Sequence, residues 1–172
     1  MERITATDPV GPARYGHEFR YRLAAGFIEP WDMVTDAACG VGYGRKLLGA
    51  RPIIYAGLDS IGQRDVNLLP SEYWAVALET WEYTPVTDVF LGFETIEHLH
   101  DYGCYVSMAQ RAKKWILVST PIVPTVGANP HHVHDFKPGD LREIFENADW
   151  EHYQTVQQPS ELSEITILRR RT

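Results

Sequence analysis

The stretch Val34-Thr35-Asp36-Ala37-Ala38-Cys39-Gly40-Val41-Gly42-Tyr43-Gly44 decides how the rest of this chain is organised. Its apolar start, acidic residue and three alternating glycines predict a short strand that runs into a tight turn. Arg45-Lys46-Leu47-Leu48 follows at once and predicts the start of a helix. Glycines let a backbone adopt positive φ and approach a ligand closely, and a helix start offers unpaired N–H groups. The stretch therefore predicts a ligand site, although a tight turn without a ligand fits the same pattern.

A second acidic residue supports the ligand site. Residues 52–59 form a short apolar run that ends at Asp59, nineteen residues after Gly40. That spacing is close to the ~20 residues at which an acidic side chain meets the ribose of a bound nucleoside. The order Gly40-x-Gly42-x-Gly44 differs from the G-x-G-x-x-G order of dinucleotide-binding turns, although a nucleotide-binding turn stays an alternative. The two features together favour a nucleoside ligand over a plain turn.

These motifs resemble those of class I S-adenosylmethionine (AdoMet)-dependent methyltransferases, in which a strand ends in an acidic residue before a glycine loop. The resemblance implies that the glycine loop meets the methionine part of AdoMet, Asp59 the ribose and residues 79–81 the adenine. Residues 17–24 resemble a lead-in helix of this family, whose Arg-Tyr pair folds over the cofactor pocket. The AdoMet-binding residues implied in this way are Asp36, Ala37, Cys39, Gly40, Val41, Gly42, Asp59, Ser60, Glu79, Thr80, Trp81, Glu94 and Tyr21.

The composition is ordinary for a globular protein, with 44% hydrophobic and 23% charged residues among 172. We expect a single domain over residues 1–172, with residues 1–30 as a lead-in helix or lid. No run approaches the ~18 apolar residues that span a bilayer, and the first residues lack the apolar core of a secretory signal. Two cysteines suggest no disulfide framework. We therefore expect a cytoplasmic protein that does not contact membranes.

The net charge of −7 argues against broad binding to nucleic acid, because neutralising phosphates needs a basic surface. The acidic-Pro-Pro-aromatic motif of amino-methylating DNA enzymes is also missing after the predicted fourth strand, where Glu94-Thr95-Ile96-Glu97 stands. DNA is therefore an unlikely partner, and the charge disfavours RNA as well.

Alternating strands and helices predict an α/β fold with a mostly parallel sheet covered on both faces. Strands are predicted at 34–37, 52–59, 74–78, 88–93, 115–119, 151–156 and 163–168, and helices at 13–28, after Gly44, at 95–113 and at 138–148. The resemblance implies a Rossmann-like, seven-stranded sheet that ends in an antiparallel C-terminal hairpin. Weak periodicity at residues 60–73 suggests that one crossover helix is missing.

Two histidine-containing segments follow the predicted fourth and fifth strands. Glu94, Glu97 and His98 have helical spacing and would share one face above the cofactor. In the segment 129–136, His132 and His134 would point to one side if the backbone is extended. Both segments resemble those of AdoMet methyltransferases that act on small molecules and sugars. We therefore expect a hydroxyl acceptor, with His98, His134 and Glu97 as catalytic residues, since histidine is a suitable base near neutral pH.

The same residues also resemble small-RNA 3′-terminal 2′-O-methyltransferases, which use two glutamates and two histidines to hold a divalent metal. That resemblance implies Mn²⁺ or Mg²⁺ bound by Glu94, Glu97, His98 and His134. The residues after Phe136 depart from that family's pattern, and the acidic charge opposes RNA binding. A structural role for the histidines and a catalytically silent AdoMet-binding module remain alternatives.

Overall fold

The computed structural model describes residues 11–60, 68–81, 86–158 and 162–172. In these ranges one seven-stranded sheet has the order β3-β2-β1-β4-β5-β7-β6. The strands are β1 Met33–Ala37, β2 Ile54–Asp59, β3 Tyr73–Ala75, β4 Val89–Phe93, β5 Trp115–Pro121, β6 Trp150–Gln158 and β7 Ser163–Arg170. β1 to β5 pair in parallel, whereas β7 is antiparallel to both β5 and β6. The predicted fold class, including the C-terminal hairpin, is confirmed.

Helices cover both faces of this sheet. They are α1 Pro12–Ala24, α2 Gly103–Ala109 and α3 Asp140–Phe145. On one face, Phe90 and Ile116 of the sheet belong to a buried cluster with Tyr105 of α2 and Phe145 of α3. On the other face, residues such as Val34, Leu91 and Leu117 form a second buried cluster with Tyr21 and Ala24 of α1. Since the central strands are buried on both sides, β4 and the first half of β5 are apolar without alternation, as parallel strands usually are.

Several predicted elements are shorter or divided. The helix predicted over 95–113 is a 3₁₀ turn at Ile96–His98 followed by α2, and the backbone at Leu99 between them is extended. Asp101 Oδ1 accepts a hydrogen bond from the backbone N–H of Gly103 at 2.8 Å, which favours a new helix start there. The turn after the glycines is a 3₁₀ helix, Tyr43–Leu48, rather than an α-helix.

Other boundaries also differ from the prediction. The third strand spans only Tyr73–Ala75, after which the chain turns into a 3₁₀ helix at Leu78–Thr80. The helix predicted over 138–148 is limited to α3, with Gly139 at its start in the left-handed region, φ 94°. The suspected missing crossover lies partly at residues 61–67, outside the described residues; next to them is a 3₁₀ turn at Pro70–Glu72. Among the described residues, no helix has the length and apolar character to cross a bilayer.

Candidate functional site

A cleft lies beyond the carboxyl ends of the parallel strands, where open α/β sheets bind ligands. Its volume is about 180 Å³. That is below the ~300–1,000 Å³ of a typical small-molecule site, so the described walls enclose only part of a ligand such as a nucleoside. We call this the edge cleft. Its lining residues are Ala38, Asp59, Ser60, Val76, Ala77, Leu78, Glu79, Thr95, His98 and Leu99.

The glycine loop and the second acidic residue meet at this cleft. The backbone N–H of Gly40 donates a hydrogen bond to Asp59 Oδ2 at 2.9 Å, so the carboxylate fixes the loop and lines the cleft at once. Gly40 and Gly42 have positive φ of 60° and 84°, a region that glycine adopts without strain. A side chain at Gly42 would also collide with Leu68, since its Cβ would lie 2.4 Å from Leu68 Cδ2.

Asp36 lies below the loop and outside the cleft lining. Its Oδ2 accepts hydrogen bonds from the hydroxyl of Tyr21 at 2.9 Å and the hydroxyl of Tyr55 at 2.6 Å. Burial raises the pKa of Asp36 to about 7, although the hydrogen bonds from the two tyrosines act in the opposite direction and lower the pKa. Asp36 and Tyr21, both predicted to bind the cofactor, thus contact each other and tie α1 to the end of β1.

Glu94 is held by three partners on the other side of the loop. Oε1 accepts a hydrogen bond from Ser119 Oγ at 2.7 Å and lies 3.2 Å from the guanidinium of buried Arg20. Oε2 accepts a hydrogen bond from Ser163 Oγ at 3.1 Å. Since both oxygens are engaged, the structure favours a structural role for Glu94 over the predicted cofactor or metal contact.

Glu97, His98 and His132 form a compact group beside the cleft, which we call the Glu97 cluster. One ligand atom of each residue lies within 4.8 Å of the other two. Glu97 is 1% exposed, and burial, together with nearby Glu94, raises its pKa. The rings of His98 and His132 meet edge to face with centroids 4.5 Å apart. Burial lowers the pKa of both histidines, so the neutral imidazoles predominate at pH 7.

His134 does not join this cluster, contrary to the metal set expected from the sequence. Its ring packs against Tyr102 at 5.4 Å and Phe136 at 6.1 Å between centroids. The loop is turned rather than extended, because the backbone N–H groups of Val133 and His134 both donate to the carbonyl of Glu97. The turn brings His132 to Glu97 in place of His134.

Of the remaining residues predicted to bind the cofactor, some line the cleft and others do not. Glu79 lines it while Oε1 accepts hydrogen bonds from the backbone of His100 at 2.6 Å and Asp101 at 3.2 Å. Ser60 also lines it. The described lining does not include Ala37, Cys39, Val41, Thr80 or Trp81. Cys39 is buried, and Trp81 packs against the sheet core.

Some residues that shape the site were not singled out from the sequence. Thr95, Leu99 and residues 76–78 all line the cleft. No sequence motif identifies such residues, because they line the cleft only through their position after the end of a strand. Arg20 lies in the predicted lead-in helix, and its burial at 1% exposure does not follow from helical spacing.

Comparison with known proteins gives one relative by sequence. No family model matches the chain. A protein of Mycolicibacterium smegmatis, described as a probable S-adenosylmethionine-dependent methyltransferase, is 31% identical over 152 residues. The match covers 78% of this chain and 58% of the relative, so the chain spans little more than half the length of that protein.

Solved structures agree in fold. A chain of the complex between the Haloferax volcanii Trm112 methyltransferase activator and a methyltransferase superposes with a TM-score of 0.74 at 14% identity, covering 93% of this chain and 92% of that one. The N-methyltransferase NodS of Bradyrhizobium japonicum, solved with S-adenosylhomocysteine, gives a TM-score of 0.67 at 11% identity, covering 97% and 90%. The sequence relative shows that the chain belongs to the S-adenosylmethionine-dependent methyltransferases, which confirms the resemblance, and the solved structures agree with the expected fold.

Proposed function

We propose that this chain is an AdoMet-dependent methyltransferase whose acceptor is a hydroxyl group of a small molecule or sugar. The observation that carries the proposal is the edge cleft, whose lining includes both His98 and Asp59, the carboxylate that accepts a hydrogen bond from Gly40 of the glycine loop. Asp59 and the glycine loop suit the ribose and methionine parts of AdoMet. We assign the acceptor to the part of the cleft that His98 lines. The sequence relative supports the same cofactor.

His98 has the right form to take a proton from a hydroxyl. Its Nδ1 lies 3.0 Å from the carbonyl oxygen of His131, which can only accept, so Nδ1 carries the hydrogen. Nε2 is therefore the nitrogen with the free lone pair. AdoMet supplies an already activated methyl group, so catalysis needs mainly alignment and removal of one proton. Bound AdoMet would supply the methyl group and leave as S-adenosylhomocysteine, and His98 Nε2 would take the proton that the acceptor hydroxyl loses as its oxygen gains the methyl.

The histidines favour a hydroxyl over an amine acceptor, because an unprotonated amine attacks without a base whereas a hydroxyl gains from one. The fold itself serves N-methylation in NodS, so fold alone does not choose between them. RNA ribose methylation and a silent AdoMet-binding module stay alternatives, and the acidic charge of −7 opposes the first.

The cofactor part of the proposal is tested by titrating AdoMet into the purified protein by calorimetry. Asp59→Asn should weaken AdoMet binding about 10- to 100-fold, because charge-assisted hydrogen bonds of about 1.5–3 kcal/mol are lost. Asp149→Asn, at an exposed carboxylate that pairs with Arg170, is the matched control and should bind normally. Equal affinity in all three proteins would refute the placement of the cofactor.

The acceptor part is tested with AdoMet carrying a labelled methyl group and a panel of sugars, phenols and amines. His98→Ala should keep AdoMet affinity and lose about 10²–10⁴-fold in turnover on a hydroxyl acceptor. If the label appeared in amines and in none of the hydroxyl compounds, the proposal of a hydroxyl acceptor would be overturned. Binding of AdoMet without transfer to any compound would favour the silent module.

A further inference from the structure

The two histidines of the Glu97 cluster are each held at one nitrogen. His98 Nδ1 is fixed by the carbonyl of His131, as described above. His132 Nδ1 lies 2.7 Å from Thr125 Oγ1, and that hydroxyl lies 3.4 Å from Asp135 Oδ1. A hydroxyl that donates to the carboxylate accepts from His132, so Nδ1 carries the hydrogen here too. Both rings therefore keep Nε2 as the nitrogen with a lone pair.

The third member of the cluster has an oxygen without a hydrogen bond. Glu97 Oε2 accepts from Thr120 Oγ1 at 3.1 Å. Oε1 is buried and has no hydrogen-bond partner among the described residues. It lies 3.9 Å from His98 Nε2. A buried carboxylate oxygen without a partner is costly, and such exceptions call for an explanation such as a bound ion.

The geometry points to a binding site for a divalent first-row transition-metal ion, held by Glu97 Oε1 and by one imidazole nitrogen each from His98 and His132. Two ligands at ~2.1 Å from a tetrahedral ion are about 3.4 Å apart. The atoms of the cluster lie within 4.8 Å of one another, so small side-chain rotations bring them to that distance. Hydrogen bonds to the far nitrogen of each ring, such as those to His131 and Thr125, are the usual support of metal-binding histidines.

The donor set indicates which ions fit. Two neutral imidazoles and one carboxylate suit Zn²⁺, Co²⁺, Ni²⁺ or Mn²⁺ much better than Mg²⁺ or Ca²⁺, which prefer oxygen donors throughout. Three protein ligands leave at least one coordination position open. His98 also lines the edge cleft, so the proposed metal site borders that cleft.

This placement bears on the reaction only if the proposed function holds. A bound ion would occupy His98 Nε2 and so replace that nitrogen as the group that promotes loss of the hydroxyl proton, since metal ions lower the pKa of an oxygen they bind. The site itself rests on the three side chains and does not depend on AdoMet.

Cobalt is the direct probe, because its visible spectrum reports coordination without any assay of activity. We would strip the full chain of metal with a chelator and titrate Co²⁺, then Zn²⁺, then Mg²⁺. We expect one Co²⁺ per chain with visible absorption bands, displacement by Zn²⁺, and no displacement by Mg²⁺ at equal concentration. No change in the Co²⁺ spectrum on mixing with protein would overturn the proposal.

Variants identify the ligands. His132→Ala and Glu97→Gln should each weaken Co²⁺ binding at least about 10-fold, a loss that even supporting residues of metal sites can cause. His131→Ala is the matched control, since its side chain is exposed and only its backbone carbonyl serves the cluster. His134→Ala tests the alternative ligand and should leave affinity unchanged. Equal weakening in His131→Ala, or no weakening in His132→Ala, would refute the assignment.

AdoMet titrations on the same proteins separate this proposal from the proposed function. His132→Ala should lose Co²⁺ and keep AdoMet. If the protein bound metal but not AdoMet, the metal site would be supported and the proposed methyltransferase function refuted. If it bound AdoMet but not metal, the metal site would be refuted and the proposed cofactor supported. Because Glu97 is buried, the folding of Glu97→Gln is checked by circular dichroism. If that variant does not fold, His132→Ala is the variant that tests the site, since His132 is only half-buried.

Discussion

Glu94 and Glu97 are three residues apart in one segment, yet they differ in almost every contact. Glu94 has both oxygens engaged by Arg20, Ser119 and Ser163, and its side chain is 18% exposed. Glu97 is more deeply buried, and its carboxylate accepts a hydrogen bond from the side chain of Thr120 at one oxygen only. A motif that reads as two equal ligands therefore contains two carboxylates in different settings: Glu94 fastens α1 to the sheet through Arg20, and Glu97 is the one that we propose as a metal ligand. The number of hydrogen-bond donors around each carboxylate, rather than the depth of its burial, separates the two roles.

The largest effect we expect comes from exchanging each carboxylate for an amide. Glu94→Gln removes the carboxylate that lies 3.2 Å from the buried Arg20 guanidinium, and breaking such a buried pair costs about 3–5 kcal/mol. Glu97→Gln keeps an oxygen that can accept the hydrogen bond from Thr120 and, among the described residues, breaks no ion pair with Lys or Arg, so its cost should stay below about 1 kcal/mol. Urea denaturation of the metal-free proteins measures both. Similar losses of unfolding free energy in the two variants would show that Glu94 and Glu97 do not differ in their structural roles.

A smaller effect, and one that depends on pH, should come from Asp36. Its pKa is about 7 in the folded protein against an ordinary value of 3.8. Between these values the folded state keeps a proton that the unfolded chain has lost, so folding becomes less favourable as pH rises. This loss is complete above about pH 7. We expect wild-type unfolding free energy to fall by about 2–3 kcal/mol relative to Asp36→Asn from pH 5 to pH 8.

Denaturation curves at several pH values check this expectation. Asp149→Asn, at an exposed carboxylate, is the control and should follow the wild type at every pH. A pH-independent difference between wild type and Asp36→Asn would show that the carboxyl ionises normally despite its burial.

The smallest effect concerns the surface on which α1 rests. A Cβ added at Gly44 would lie 2.2 Å from Tyr21 Cζ, so Gly44→Ala should push the ring away and cost about 1–2 kcal/mol through overpacking. Gly26→Ala is the control, because a Cβ added there would meet no atom within 4 Å and the change should stay within about 0.5 kcal/mol. Thermal unfolding compares the two, and equal midpoints would mean that α1 tolerates the displacement.

The sequence was sufficient for the order of elements, because apolar runs and glycine turns mark strands and strand ends directly. It placed Asp59 and the glycine loop together, since their spacing follows from one β-turn-β unit. It could not assign His132 over His134, because that choice depends on two hydrogen bonds from residues 133 and 134 to Glu97, which fold the loop back. Nor could it show that Asp36 and Glu94 serve α1, because their partners come from distant positions in the chain.

The two buried tethers of α1 have a consequence for local unfolding. Arg20 and Tyr21 are neighbours in the helix, but they attach to different central strands, through Glu94 after β4 and Asp36 in β1. The middle of the helix can therefore open only when both attachments break together, whereas its first turn, where Tyr15 is 62% exposed, can fray alone. Amide hydrogens near residues 20 and 21 would then exchange in a single cooperative step, and α1 would behave as part of the sheet rather than as a hinged flap.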